Sequence, residues 1–269
     1  MNEVLMRMRD RNKNMQTLSI YPHLTVLLKD LSVKSKQNII TEDLHIIGNL
    51  NIKFAESGKR IREIVRRSNA RMTGKFPSTK NNRMMHWESQ YELETFQILE
   101  ISPLVAAYNE QPAEFKYLSS DGILHMHYPD ILVTLSSGNS FFIEVKPQNE
   151  ETNQLLAERT ALLTSLLRPM GYGYIMILPE QINSLAYLEN AKQLLRYSKS
   201  PMPETIWEIA RNLFIPKKII QFSTLVSLIN HPYAKSWIYQ LIMAGDIQID
   251  LSELITDATF LGWNHWETV

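Results

Sequence analysis

The sequence contains no cysteine, and this absence excludes three kinds of site. Disulfide bonds, cysteine-ligated zinc sites and thiol nucleophiles all require that side chain, and a chain without it fits a reducing compartment. Glycine is also scarce, at nine residues, and these form no phosphate-binding loop. Without such a loop we do not expect this chain to hydrolyse ATP. The pattern Gly-x-Ser-x-Gly is missing too, so we do not expect a serine-hydrolase elbow.

Long apolar runs are missing as well. The first apolar stretch is broken at Tyr21-Pro22-His23, and no small-residue cleavage site follows it. This pattern predicts neither a signal peptide nor a membrane-spanning helix. We therefore expect a cytoplasmic protein with no membrane partner.

The net charge at pH 7 is zero, but the two signs are unevenly distributed along the chain. Residues 1–86 hold 17 of the 28 Lys/Arg residues and 7 of the 28 Asp/Glu residues. The densest basic stretch, residues 59–75 (KRIREIVRRSNARMTGK), is typical of a surface that follows phosphate groups, although a solvated helix face is the alternative. The candidate DNA contacts are Arg62, Arg66, Arg67, Arg71, Lys75, Lys80 and Arg83.

The middle of the chain, residues 46–198, has the pattern of an α/β domain, and residues 1–45 are expected to form an arm or a small helical extension. Apolar segments at 113–119 and 123–135 flank Asp121-Gly122, which predicts a hairpin. The other expected elements are two short extended segments in 71–86, helices at 89–101, 151–167 and 184–197, and strands at 140–146 and 173–179. This order predicts a mixed sheet flanked by helices.

A third segment, residues 199–269, begins after the proline-bearing linker at 198–203. Its pattern predicts helices at 203–214, 219–230 and 234–245, followed by strands at 246–251 and 258–263, which is the order of a winged helix-turn-helix. The third of these helices has one lysine and no arginine, so we expect it to dock a protein partner and not to read DNA.

The residues with the clearest chemistry lie in 128–147, YPDILVTLSSGNSFFIEVKP. Glu144 and Lys146 share one face of a strand, and a turn at 136–139 would bring Asp130 back beside Glu144. Two adjacent carboxylates repel unless a cation lies between them, and magnesium prefers such oxygen ligands. Lysine beside the ion could position the attacking water. A surface ion pair at the strand ends is the alternative.

A third acid, Glu92, shares a helix face with Phe96 and Leu99, which predicts a carboxylate on the core side. It could act as an additional metal ligand. The alternative is a capping box, with Ser89 at the N-cap and Glu92 three residues later.

Other acids and histidines near these residues are weaker candidates. His125 and His127 could be drawn as a metal site with Asp130, but ordinary hydrogen bonds on a strand face are the more common role. Either Glu100 or Glu110 could serve a second metal, although we expect them to be solvated.

In order, Glu92, Pro129-Asp130 and Glu144-Val145-Lys146 resemble the motif of the PD-(D/E)XK superfamily, the restriction-endonuclease-like fold. Residues 71–112 (RMTGKFPSTKNNRMMHWESQYELETFQILEISPLVAAYNEQP), with 128–133 and 143–147, resemble more narrowly the TnsA family, the endonuclease subunit of heteromeric DNA transposases. This resemblance extends over about residues 60–263. No equivalent of the first 45 or so residues is expected in the family.

The resemblance implies an Mg²⁺-dependent endonuclease, with Mn²⁺ as a substitute, that cuts the 5′ ends of a transposon. A DDE-type transposase subunit, TnsB, would cut and join the 3′ ends, and the AAA+ regulator TnsC would link both to target selection. The family's catalytic acid falls on Glu92, its metal-binding aspartate on Asp130 and its lysine on Lys146, while Glu144 matches a position that is Glu or Gln. The rival hypotheses are a stand-alone restriction or recombination nuclease and a catalytically silent DNA-binding or scaffolding module.

Overall fold

The computed structural model describes residues 44–47, 49–56, 59–61, 72–119, 121–146, 154–178 and 185–264. Most of the predicted N-terminal arm lies outside the described residues. Packing divides the chain into two compact units. The N-terminal unit comprises the described residues of 23–96 and 105–182, and the C-terminal unit comprises Gln97–Leu104 and the described residues of 183–269. Within these residues no helix is both long and apolar enough to cross a membrane.

The described residues up to residue 178 form ten strands and two α-helices. In chain order they are β1 (Leu44–Ile47), β2 (Leu50–Phe54), β3 (Gly74–Ser78), β4 (Arg83–Trp87), α1 (Gln90–Ile101), β5 (Val105–Glu110), β6 (Ala113–Leu118), β7 (Leu124–His127), β8 (Ile131–Leu135), β9 (Ser140–Val145), α2 (Gln154–Leu167) and β10 (Tyr172–Ile177). A 3₁₀ turn, Arg168–Met170, joins α2 to β10. The predicted α/β class is confirmed.

A mixed four-stranded sheet, in the order β10-β9-β8-β5, is the part of this unit that matters most for the site. Strand β10 pairs parallel to β9, whereas the β9–β8 and β8–β5 pairs are antiparallel. The predicted turn between β8 and β9 is present, with Gly138 at a φ of 89° and the Leu135 N–H donating to the Asn139 carbonyl at 2.8 Å. Glycine suits this left-handed conformation because it has no Cβ.

The second sheet, in the order β1-β2-β6-β7, contains the predicted hairpin around Asp121-Gly122. The expectation of one strand over 123–135 is wrong, because the segment is divided between two sheets. His127 ends β7 opposite Phe115, while Ile131 begins β8 opposite Glu110 and Ile143. Pro129 explains the break, since proline has no N–H to donate to a ladder and it restricts the residue before it.

The core of this unit lies where β2, β6 and β9 meet α2. Phe115 and Phe142 are fully buried and meet edge to face at 4.8 Å between ring centroids. Leu163 and Leu167 of α2 belong to the same buried cluster. Burying an aromatic or leucine side chain contributes about 1.5–3 kcal/mol, so this cluster fixes β9 against α2.

The hairpin β3–β4 confirms the two extended segments expected in residues 71–86. A Cβ at Gly74 would lie 2.4 Å from the Trp87 ring, so glycine is required for this close approach. Phe96 of α1 packs against Phe76 and Tyr108, at 6.3 Å and 5.5 Å between centroids. These contacts hold the first turns of α1 beside β5.

The described residues from 185 to 264 form four helices and three short strands. They are α3 (Leu185–Tyr197), α4 (Thr205–Phe214), β11 (Ile219–Gln221), α5 (Phe222–Ile229), α6 (Ala234–Ala244), β12 (Ile247–Gln248) and β13 (Phe260–Trp263). The strands form an antiparallel sheet in the order β11-β13-β12. The three predicted helices are present, but residues 219–221, expected at the start of a helix, form a strand. The winged-helix assignment stays a prediction.

Helix α3 belongs to the C-terminal unit. The Asn190 side chain is fully buried there, donates to the carbonyls of Leu251 and Glu253, and accepts from the Ile255 N–H at 2.8 Å. The predicted boundary between residues 198 and 199 therefore lies one helix later than the division between the units.

Candidate active site

Asp130 lies at the junction where the chain leaves one sheet and enters the other. Its N–H donates to the Ile143 carbonyl at 3.1 Å, and its side-chain Oδ2 accepts from the Val145 N–H at 2.7 Å. The carboxylate is thereby fixed against β9. Burial, followed by the negative charges of Glu144 and Glu92, raises the pKa of Asp130 well above its usual value.

The Glu144 carboxylate accepts from donors on both of its oxygens. Lys146 Nζ lies 2.7 Å and Arg159 Nη2 lies 3.2 Å from Oε1. His127 Nε2 lies 3.0 Å and Tyr174 Oη lies 3.3 Å from Oε2. Glu144 is 3% exposed, so these donors replace the water that an open carboxylate would have.

The electrostatics of Glu144 are the reverse of those of Asp130. Burial alone would raise the pKa of Glu144, but the hydrogen bonds and positive charges of His127 and Lys146 outweigh burial and lower the pKa to about 2. The predicted approach of the Asp130 side chain to Glu144 is present. The site thus holds one carboxylate whose neighbours lower its pKa and one whose pKa is raised, because burial and two nearby acids outweigh the Val145 N–H and Lys146.

Ser89 and Glu92 cap the start of α1, although the backbone N–H that Glu92 accepts from belongs to Glu88, one residue before the expected N-cap. The Glu92 N–H donates to Ser89 Oγ at 3.2 Å, and Ser89 Oγ donates back to Glu92 Oε1 at 3.2 Å. The Glu88 N–H donates to the other oxygen at 2.8 Å. Burial raises the pKa of Glu92, and its charge in turn contributes to the raised pKa of Asp130. The capping role is therefore present, and Glu92 at the start of α1 lies within electrostatic reach of Asp130.

A hydrogen-bonded path joins the cap to Asp130. Gln111 adopts a positive φ of 42°, and its N–H donates to the Asp130 carbonyl at 2.7 Å. Its side-chain amide donates to Glu88, whose N–H holds Glu92. Gln111 thus has the structural role expected for the Gln111-Pro112 pair, since it connects the end of β5 to both acids.

Sequence reasoning missed three residues that bind Glu144. Tyr174 and Arg159 were not singled out, and His127 was considered with Asp130 as a weak metal site. His127 instead contacts Glu144 and Tyr174 Oη, at 3.0 Å each. His125 lies two residues before His127 on the same face of β7, but it is exposed and bonds to Ser119 Oγ at 2.9 Å. The spacing of two residues along β7 places both histidines on one face, and it does not indicate which of them is buried.

The predicted DNA contacts have differing surroundings. Arg62, Arg66, Arg67 and Arg71 lie outside the described residues. Lys75 is exposed, and Lys80 Nζ donates to the Val105 carbonyl at 2.5 Å. Arg83 binds Glu110 with two hydrogen bonds, at 2.9 Å and 2.5 Å. DNA contact by Lys75, Lys80 and Arg83 stays a prediction.

The expectation that Glu100 and Glu110 are solvated is wrong. They are 3% and 2% exposed, respectively. Glu110 also accepts from the His86 N–H at 3.1 Å, so its carboxylate belongs to a closed network with Arg83. A buried carboxylate requires such partners because water no longer solvates it.

The residues present fit a divalent cation in their chemistry. Asp130 and Glu144 offer hard carboxylate oxygens, and the pKa of Asp130 is raised because burial and the charges of Glu144 and Glu92 outweigh the Val145 N–H and the Lys146 charge. Within the described chain, no group of three or more His, Asp or Glu side chains is arranged to hold a metal ion. Glu92 therefore does not complete a three-carboxylate cluster here, and its role as a ligand stays a prediction.

A protein-family model described as "TnsA-like endonuclease N terminal" matches residues 102–178. These residues are similar to the TnsA-like endonuclease family, and the match supports that assignment. The match confirms the resemblance in the segment that carries Asp130, Glu144 and Lys146, together with His127, Arg159 and Tyr174. Glu92 and the basic stretch lie outside the matched TnsA-like segment. No curated protein matches the chain.

Proposed function

We propose that the chain is the Mg²⁺-dependent endonuclease subunit of a heteromeric transposase and cuts the 5′ ends of the transposon. The observation that carries the proposal is the junction of Asp130, Glu144 and Lys146 within a TnsA-like segment. A TnsA-like endonuclease implies a DNA substrate and a transposition context.

In this proposal Asp130 and Glu144 hold the metal, with Glu92 as an additional acidic ligand, and Mn²⁺ substitutes for Mg²⁺. When bound there, Mg²⁺ would offset the two negative charges and supply Lewis acidity to the scissile phosphate and to a water molecule. The chain fixes Asp130 through the Val145 N–H and orients Glu144 through His127 and Tyr174. Lys146, 2.7 Å from Glu144, positions the attacking water and offsets charge on the phosphate.

The proposed partners follow from the same assignment. They are double-stranded DNA at the transposon ends, the DDE-type transposase TnsB and the AAA+ regulator TnsC. The assembly would act in the cytoplasm, on the nucleoid. The C-terminal unit is proposed to be a winged helix that docks a protein, which is supported by its helix-strand-helix-helix-strand-strand order after α3 and by the scarcity of cations on α6.

Strand-resolved cleavage of a transposon-end duplex tests the proposal. Full-length protein with its DDE-type partner and Mg²⁺ is compared with the Asp130→Ala and Lys146→Ala variants. We expect both variants to lose the 5′ cut and to keep the partner's 3′ cut. Unchanged 5′ cleavage in both variants would refute the assignment, and cutting by the chain alone would favour a stand-alone nuclease.

The saturation of Glu144 favours one alternative, a catalytically silent module in which the acids are structural. Four donors already contact this carboxylate, and an ion pair of this kind needs no metal. Under that reading Asp130→Ala would lower stability and leave every DNA cut intact. A stably folded but inactive Asp130→Ala variant would exclude it.

A further inference from the structure

Arg159 lies beside Glu144, and only one of the two donors on the Nε–Nη2 edge of its guanidinium group makes a hydrogen bond there. Its Nη2 donates to Glu144 Oε1 at 3.2 Å, while Lys146 contacts the same oxygen at the shorter distance of 2.7 Å. Its Nε is buried and donates to no acceptor within the part of the chain that the structure describes. An unpaired buried N–H is unfavourable, so this pairing leaves Arg159 incompletely satisfied.

The unused donor has a specific geometric meaning. The guanidinium presents its donors as a rigid fork that matches two oxygens of one phosphate. On Glu144, one donor of the Nε–Nη2 edge binds a carboxylate oxygen that a closer lysine already holds, and the other binds nothing. A phosphate group would satisfy both donors.

Burial distinguishes Arg159 from two other partners of Glu144. His127 is 9% and Tyr174 is 3% exposed, and both contact Oε2. The Arg159 side chain is 26% exposed and contacts Oε1. The buried pair can therefore keep Glu144 oriented while Arg159, from α2, reaches solvent on the side of the carboxylate shared with Lys146.

We infer that Arg159 is a phosphate-binding residue of this site. Without metal and DNA, its Nη2 donates to Glu144 Oε1. When a divalent cation binds Oε1, both donors of the Nε–Nη2 edge donate to a phosphate of the DNA backbone instead. No bond is made or broken in this exchange. The inference rests on the proposed function, because it requires both a metal at Glu144 and a DNA substrate.

Two binding measurements on the full-length chain test the exchange. The first is Mn²⁺ affinity without DNA, followed by electron paramagnetic resonance. The second is the affinity for a random-sequence duplex at saturating Mn²⁺, followed by fluorescence anisotropy over a range of salt concentrations. The variants are Arg159→Gln and Arg159→Lys, with Arg168→Gln as the matched control. Arg168 is an exposed arginine just after α2 and makes the same charge change.

Arg159→Gln should bind Mn²⁺ about fivefold more tightly, because it removes a cation that competes for Oε1. It should also bind DNA more weakly and reduce the slope of log affinity against log salt by about one. Arg159→Lys keeps the charge and should restore the slope, but it should bind DNA more weakly than wild type because it lacks the two-donor edge. Arg168→Gln should not change Mn²⁺ affinity.

The failures are distinguishable. If Arg159→Gln has wild-type Mn²⁺ affinity, the exchange is refuted while the proposed nuclease stands. Tighter Mn²⁺ binding with an unchanged salt slope would restrict Arg159 to Glu144 and refute the phosphate contact. If the wild type binds no Mn²⁺, the proposed metal site fails together with the exchange. Should Arg159→Gln not fold, wild-type DNA affinity of Arg159→Lys would refute the two-donor contact.

Discussion

Glu110 and Glu144 are both buried glutamates paired with an arginine, but their surroundings differ. Arg83 binds Glu110 with two hydrogen bonds, and the His86 N–H completes the network. Glu144 instead takes single contacts from four side chains, and a second buried carboxylate, Asp130, adds to the negative charge beside it. A buried ion pair alone therefore does not mark a functional site. The distinguishing feature of the candidate site is the second buried acid, whose pKa burial and the neighbouring acids raise despite Lys146.

The largest expected effect comes from breaking the closed pair. Arg83→Ala leaves the Glu110 charge buried without its cation and should lower the free energy of unfolding by about 3 kcal/mol. Urea denaturation measures this change. Lys75→Ala, on the neighbouring exposed position of the same hairpin, is the control and should change stability by less than about 0.5 kcal/mol. A similar result for both variants would mean that Arg83 contributes no more than a surface lysine.

Glu144 should respond less to the loss of one donor because three others remain. Tyr174→Phe removes a hydroxyl that contacts both Glu144 and His127, and we expect a loss of about 1.5 kcal/mol in urea denaturation. A loss as large as that of Arg83→Ala would show that the four contacts of Glu144 depend on one another.

Asp130 should show the opposite sign. Asp130→Asn keeps an acceptor for the Val145 N–H but removes a buried negative charge next to Glu144, so it should stabilise the metal-free protein by about 1 kcal/mol. Thermal unfolding in EDTA measures this gain. Added Mg²⁺ should then raise the Tm of the wild type and leave that of the variant unchanged. Destabilisation in EDTA would show that the aspartate charge is already compensated.

The smallest effect is expected at the cap of α1. Ser89→Ala removes one cap bond and should cost about 0.5–1 kcal/mol. Glu92→Gln keeps the acceptor but removes the charge, so it separates the two roles of Glu92. Wild-type 5′ cleavage with Glu92→Gln would leave Glu92 as a cap alone, and loss of cleavage at unchanged stability would support it as a ligand.

The local parts of the fold were predictable because their signals are contiguous. Asp121-Gly122 and the turn at Gly138 mark two hairpins, and together with the alternation of Glu144 and Lys146 they bring Asp130 to β9. The partners of Glu144 were not predictable in the same way, since β7, α2 and β10 supply one each. Their approach depends on packing between sheets, which no spacing along the chain reports.

Burial of the acids was also beyond sequence reasoning. Glu100 and Glu110 look like ordinary solvated glutamates at the ends of α1 and β5, and their burial follows from how the strands and helices pack. The division of residues 123–135 into two strands is different. Pro129 indicates a break in the sequence, but the length of the apolar run favoured a single strand.

The contact between the Asp130 carboxylate and the Val145 N–H also makes the site observable by spectroscopy. This amide is held by a side chain that extends the ladder one step beyond the start of β8, so we expect its exchange with deuterium to depend on the state of a single carboxylate. Protonation of Asp130, or a cation on it, would alter the Val145 amide resonance before the neighbouring strand pairs change. The Val145 amide of β9 is thus a spectroscopic probe of whether a proton or a cation is bound at Asp130.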